Sequence, residues 1–175
     1  MPVYRLPANP ANDAAVTVGF CRGSGLFSSA IEWFGGSYYS HVTTLLPDRC
    51  HVIDARLSGG VAKRPVDYLR HEAIRWIDIE CTQKQANAVY AFLFSQIGKK
   101  YDVQGIWHFV TGQMRDTNWT RRSAWFCDEL AAASWIDAEI AQPSIIPLPR
   151  LTPGASAIMA SQLEWRPSRF SISGV

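Results

Sequence analysis

The segment from Ser40 to Arg56 constrains this chain more than any other. Two β-rich runs, SHVTTLL at 40–46 and CHVIDAR at 50–56, flank Pro47-Asp48-Arg49. Turn residues between runs rich in Val, Ile and Thr predict an antiparallel hairpin. Its register decides which polar side chains meet, because a shift of one residue sends every side chain to the other face. A two-residue turn at Asp48-Arg49 places His41 opposite Arg56 and leaves Asp54 on the face of His41 as its diagonal neighbour. His51 then points the other way. A three-residue loop reverses the parity and brings His51 to that face, so hairpin geometry alone leaves both partners open.

Around the hairpin the pattern continues as a short succession of elements. Val16, Val18 and Phe20 alternate in AVTVGFC, a period-2 strand signal, and AIRWIDIE at 73–80 is a further strand candidate. Residues 24–34 start at a potential Ser24 cap, set Phe27, Ile31 and Phe34 to one side, and stop at Gly35-Gly36, which predicts a short helix. Thr82 and Gln85 have capping-box spacing. Ala86, Val89, Tyr90, Leu93 and Ile97 follow at helical intervals up to Gly98. A last helix is predicted from Ser123 or Ala124 to Ile140, with Cys127, Leu130, Ala131, Ser134 and Ala138 on one face and Pro143 beyond its end. Strand, helix, three strands, helix, helix is the order of an α+β fold with a small antiparallel sheet. Residues 1–13 read as a surface arm and 143–175, with its prolines, as an irregular wrap, all within one domain spanning 1–175.

Composition narrows the function classes. The chain of 175 residues is 47% hydrophobic and 18% charged, which excludes intrinsic disorder. No apolar run approaches the roughly 18 residues of a membrane span, so no integral membrane segment is expected. A net charge of +2 is too small and too scattered for a nucleic-acid footprint. Cysteines stand at 21, 50, 81 and 127 without CxxC or a nearby His/Cys cluster, so neither zinc nor another cofactor is implied. The first residues carry no apolar signal region, and a reducing compartment with free thiols is the expectation. Seven Trp, six Tyr and eight Phe suggest aromatic walls in a core or cleft.

One cysteine differs from the others. Cys127, in WFCDEL, falls in the first turn of a predicted helix, where unpaired N–H groups and the macrodipole favour a thiolate. The same N–H groups suit an oxyanion in acyl transfer. A thiol nucleophile needs a base, and His41, His51, His71 and His108 are the available imidazoles. Ordinary packing is the alternative for Cys127, and a half-buried strand residue is the alternative for His41. His71 and His108 read as structural, and Cys21, Cys50 and Cys81 as buried filling. Arg115, Arg121 and Arg122 lie in the segment before Cys127, together with Trp107, Trp119 and Trp125, which suit a solvated loop or a cleft wall.

SHV, then VIDA about a dozen residues on, then GGV, GKKYD and WFCDEL, together resemble the circularly permuted NlpC/P60-type papain-like hydrolases. The YiiX/YaeF-like branch is the nearest in pattern, and the lecithin:retinol acyltransferase-like proteins are cousins. GFCRGSGLFSSAIEW resembles the family's opening strand and helix, and Thr152-Pro153 its late Thr-Pro element; the resemblance covers roughly residues 16–154. It implies a permuted papain-like fold, with His41 preceding Cys127 in the chain. It also implies Cys127 as nucleophile, His41 as base and Asp54, in Ile53-Asp54-Ala55, as the polar third member, where many relatives carry Glu. The acyltransferase-like cousins use a His as third residue, which keeps His51 as the fallback. Tyr101, in GKKYD, resembles a Tyr beside the family's cleft and otherwise reads as a helix-end core aromatic. The Gly-Asp that often opens the first strand is missing in Val18-Gly19-Phe20.

The implied chemistry is acyl transfer through a thioester at an amide bond, without cofactor or metal. Expected substrates are a small peptide, a peptidoglycan fragment or a related γ-linked peptide. A lipid-directed acyltransferase or esterase is the second reading, and a non-catalytic binding or phage assembly module the third. A cytoplasmic or phage-associated location is the expectation, with no signal region visible.

Overall fold

Val16, Val18 and Phe20 alternate with smaller or polar neighbours and are fully buried, which is why residues 14–22 form a strand with one face in the core. A computed structural model describes residues 13–23, 29, 31–33, 37–70, 73–103, 123–141 and 152–163. Its larger sheet contains β1 (Ala14–Arg22), β2 (His41–Leu45), β3 (His51–Arg56), β4 (Gly60–Pro65) and β5 (Ala73–Cys81). The order across the sheet is β4-β3-β2-β1-β5, and every neighbouring pair is antiparallel. Helix α1 (Gln83–Gln96) follows. Two short strands, β6 (Lys100–Tyr101) and β7 (Ala124–Trp125), then pair in parallel before α2 (Cys127–Asp137) and α3 (Pro153–Leu163). The architecture is α+β. None of the helices described is long and apolar enough to cross a membrane.

The β2–β3 register is the one a turn at Asp48-Arg49 dictates: Thr44 faces Ile53 and Leu45 faces Val52. Arg49 takes φ of 54°, and its N–H donates to the Leu46 carbonyl at 2.9 Å, while the Leu46 N–H donates to His51 at 2.8 Å. The Asp48 carboxylate accepts from the Cys50 and His51 backbone N–H groups, an Asx turn that fixes the tip. The described ladder stops at Thr44–Ile53, so the start of β2 and the end of β3 diverge.

One face of the sheet carries the main core, with Val42, Ile53, Ala55, Val61, Ile77 and Ile79 against Val89 and Leu93 of α1 and Leu130 and Ala131 of α2. The other face holds a smaller cluster of Cys21, Leu45, Val52 and Leu69 under the 3-10 turn Val66–Leu69. Cys21 faces His41 across β1–β2, and Val52 and Asp54 alternate in step along β3, so His41 and Asp54 project from this second face.

Three expectations change. Residues 60–65 form a strand that their sequence, GVAKRP, does not announce; pairing with β3 imposes it, and Pro65 sits at its last position. Helix α2 starts at Cys127 rather than Ser123 or Ala124, because Ala124–Trp125 pairs with Lys100–Tyr101 instead. The wrap expected over 143–175 contains a helix at Pro153–Leu163. Pro153 opens that helix, where a missing N–H costs nothing, and the Thr152 hydroxyl accepts from the Ala155 N–H at 3.1 Å. Residues 29 and 31–33 are helical, within the helix expected over 24–34. The arm up to residue 12, the wrap at 143–151 and 164–175, and His71, Trp107, His108, Arg115, Trp119, Arg121 and Arg122 lie outside the described residues.

Candidate active site

The start of β2 and the end of β3 set His41 and Asp54 together on one sheet face. The His41 Nε2 lies 2.6 Å from Asp54 Oδ2, and both side chains are buried. Asp54 also accepts from the Tyr68 hydroxyl and from Arg64 Nη1, and Arg56 Nε approaches at 3.3 Å. Burial alone would raise this carboxyl. The His41 ring, the Tyr68 hydroxyl and the Arg64 charge outweigh burial and hold it down to about 2. Burial and the Asp54 charge in turn push the Tyr68 hydroxyl up, so it keeps its proton and donates. An ionised carboxylate can only accept, so His41 donates from Nε2 and its Nδ1 lone pair is the basic one.

His51 is placed elsewhere. It lies at the exposed hairpin tip with Nδ1 2.8 Å from Asp48 Oδ2, and Lys63 approaches the same carboxylate at 3.6 Å. It is Asp54, and not His51, that meets the His41 ring.

Cys127 is the first residue of α2, and several contacts fix that helix start. The Glu129 carboxylate accepts from the Phe126 N–H at 3.4 Å, Trp125 Nε1 donates to Gln96 at 3.0 Å, and the Phe126 ring packs on Tyr101 at 5.7 Å between centroids. The sulfur sits beside the backbone N–H groups of Val42 and Asp128. In the β2–β3 ladder the Leu46 N–H points at β3, so by alternation Val42 does too; where the strands diverge, Cys127 takes that N–H. Both N–H groups favour the thiolate, as expected for a helix start. They lose to burial, first, and to the negative charges of Asp128 and Asp54, and the thiol is pushed well up. The resting group is therefore a protonated thiol, a correction to the stabilised thiolate expected from helix position alone.

No hydrogen bond joins Cys127 Sγ to His41 among the described residues. Tyr101 is buried next to Cys127; its hydroxyl is pushed up by burial and further by the charges of Cys127, Asp128 and Glu129. It also lines an open groove of about 360 Å³ with Leu57, Gly98 and Val103. Cys21 and Cys81 are buried, as filling would be, but Cys50 is exposed on the hairpin. Among the described residues no group of three or more His, Cys, Asp or Glu converges as a metal site.

Sequence reasoning missed Arg64 and Tyr68. They stand in a Lys-Arg-Pro run and a Val-Asp-Tyr-Leu turn, neither of which carries a motif. Only the register of β4 on β3, which faces Asp54 to Ala62 and Val52 to Arg64, brings Arg64 to the carboxylate. No known family profile matches the chain, and no curated protein matches it in sequence.

Proposed function

We propose that the protein is a cysteine hydrolase of the permuted papain-like kind, acting by thioester acyl transfer on an amide bond. Its substrate class is a cell-wall peptide or a related γ-linked peptide. The observation that carries the reading is the buried His41–Asp54 pair at the point where β2 and β3 diverge and the start of α2 delivers Cys127 to the Val42 N–H. His41, through Nδ1, takes the Cys127 proton; Sγ attacks the carbonyl carbon. The C–N bond breaks as the amine leaves with a proton from His41, and water then cleaves the thioester. The N–H groups beside the sulfur support the oxyanion. A protonated resting thiol makes base assistance, typically about 10²–10⁴-fold, indispensable.

A second reading is favoured by a different observation. The Cys127 thiol is buried and pushed up, and no hydrogen bond connects it to His41, as suits a non-catalytic binding or assembly module on the same fold. One experiment separates the two. The protein is incubated with p-nitrophenyl acetate and with cell-wall stem peptides, and the acylated residue is mapped by mass spectrometry. The hydrolase reading expects an acyl group on Cys127 and p-nitrophenolate or amine release, both lost in Cys127→Ala and His41→Ala. Acylation confined to the exposed Cys50, or none, leaves the module reading.

A further inference from the structure

We propose that Tyr68 and Arg64 are positioning residues for His41: together they hold the Asp54 carboxylate so that it keeps the imidazole proton on Nε2 and the Nδ1 lone pair free. The proposal rests on reading His41 as the base.

A carboxylate held by one partner turns easily about its last torsion, which has broad, two-fold minima. Asp54 is not held so. Its Oδ1 accepts from Arg64 Nη1, while its Oδ2 accepts from Tyr68, from His41 at 2.6 Å and more weakly from Arg56 Nε at 3.3 Å. Donors on both oxygens fix the carboxylate plane, and with it the direction from which His41 is met.

The two holders have anchors besides the Asp54 carboxylate. Arg64 donates to the backbone carbonyls of Ser58 at 3.2 Å, Gly60 at 3.1 Å and Ala62 at 3.2 Å, so its guanidinium is tied into the β3–β4 turn. Tyr68 accepts from Arg56 Nε at 2.9 Å, and its ring lies 4.7 Å beneath the Arg56 guanidinium. An anchored donor loses little rotamer freedom when it meets Asp54, which is how an outer residue orients an inner one.

A merely structural ionic cluster would stabilise the fold and leave the tautomer and the reaction rate alone. Tyr68→Phe is the clean variant, because it removes one hydroxyl. Arg64→Gln also loosens the turn, so Arg64→Lys serves as the conservative rescue. Two readouts are taken on folded protein: the His41 tautomer by long-range proton–nitrogen NMR, and the rate and KM of Cys127 acylation by p-nitrophenyl acetate. The wild type is expected to show the Nε2–H form alone. Tyr68→Phe and Arg64→Gln are expected to show mixed tautomers and acylation slowed about tenfold at unchanged KM, with Arg64→Lys recovering part of the rate. Tyr68→Phe with the wild-type tautomer and a rate within about twofold overturns the proposal. If the wild type forms no acyl-Cys127, the hydrolase reading falls by itself, and the tautomer readout alone decides whether Tyr68 and Arg64 position His41.

Discussion

Asp54 is a fully buried carboxylate whose charge is tolerable only because of its neighbours. Its pKa falls from 3.8 to about 2 in the fold although burial opposes the fall. A depressed carboxyl contributes stability that is present above its unfolded pKa and lost as pH drops through the folded one, here between about 4 and 2. The shift corresponds to on the order of 2 kcal/mol. Asp54→Asn leaves Arg64 and Arg56 facing a neutral amide, and urea unfolding at neutral pH should show a loss of about 2–4 kcal/mol. That gap should shrink as pH falls below 4; a gap constant down to pH 2 would assign the titration to another group. Cys127 behaves in the opposite sense. Its raised pKa means that iodoacetamide should label the exposed Cys50 first at neutral pH, with Cys127 labelling only as pH climbs past the ordinary thiol range; faster labelling of Cys127 at pH 7 would contradict the buried thiol. The position of Cys127 at a helix start was legible in WFCDEL, but the sign of its shift was not. Counting helix-end N–H groups leaves out burial and the Asp128 and Asp54 charges, and those decide it. Asp54 was legible as a diagonal neighbour of His41. Arg64 and Tyr68 were not, since nothing local in KRP or VDYL says which carboxylate they meet.

Elements were legible where a local signal and the tertiary demand agree. Thr82 and Gln85 make the capping box their spacing predicts: the Thr82 hydroxyl accepts from the Gln85 N–H at 3.3 Å, and the Gln85 side chain accepts from the Thr82 N–H at 3.0 Å. Thr82→Ala removes that cap and should lower stability by about 1 kcal/mol, measured by chemical denaturation; no change would mean that packing alone sets the start of α1. The hairpin was legible for the same reason, a turn sequence between two alternating strands, but its register was open between two turn lengths until the pairing of Thr44 with Ile53 decided it. Strand β4 was hidden because its residues have modest β-propensity and its partner supplies the order. Its start is locked from outside: the Val61 N–H donates to the Lys99 carbonyl and the Gly98 N–H to the Val61 carbonyl, each at 2.9 Å. Gly60 permits this approach, with φ of 58° and a virtual Cβ only 2.2 Å from the Lys99 oxygen. Gly60→Ala should therefore destabilise the protein and lower the thermal midpoint, where the same change at an unstrained glycine position would raise stability by about 0.4–1 kcal/mol. An unchanged midpoint would show that the β4 start has room to move.

At the scale of the molecule, the sheet sets which parts open together. β1 lies between β2 and β5, which places residues 14–22 against residues 73–81 far along the chain, with Val16, Val18 and Phe20 fully buried. Opening β1 breaks two ladders and the main core at once, so its amides should exchange only near global unfolding. β4 is an edge strand with one ladder, its last four residues are half-buried or exposed in turn, and it carries Arg64. Its local opening separates Arg64 from Asp54 without disturbing β1. Native-state hydrogen exchange should then find the β4 amides less protected than those of β1, and Arg64→Gln should speed exchange in β4 while leaving β1 unchanged. A common exchange rate for both strands would mean that the sheet opens only as a whole. In that case Arg64 would be as permanent a part of the Asp54 environment as the core, and its substitution would register in global stability. The arrangement observed instead ties the carboxylate facing His41 to an edge strand of the sheet, so loosening that edge should disturb the His41–Asp54 pair before it disturbs the fold.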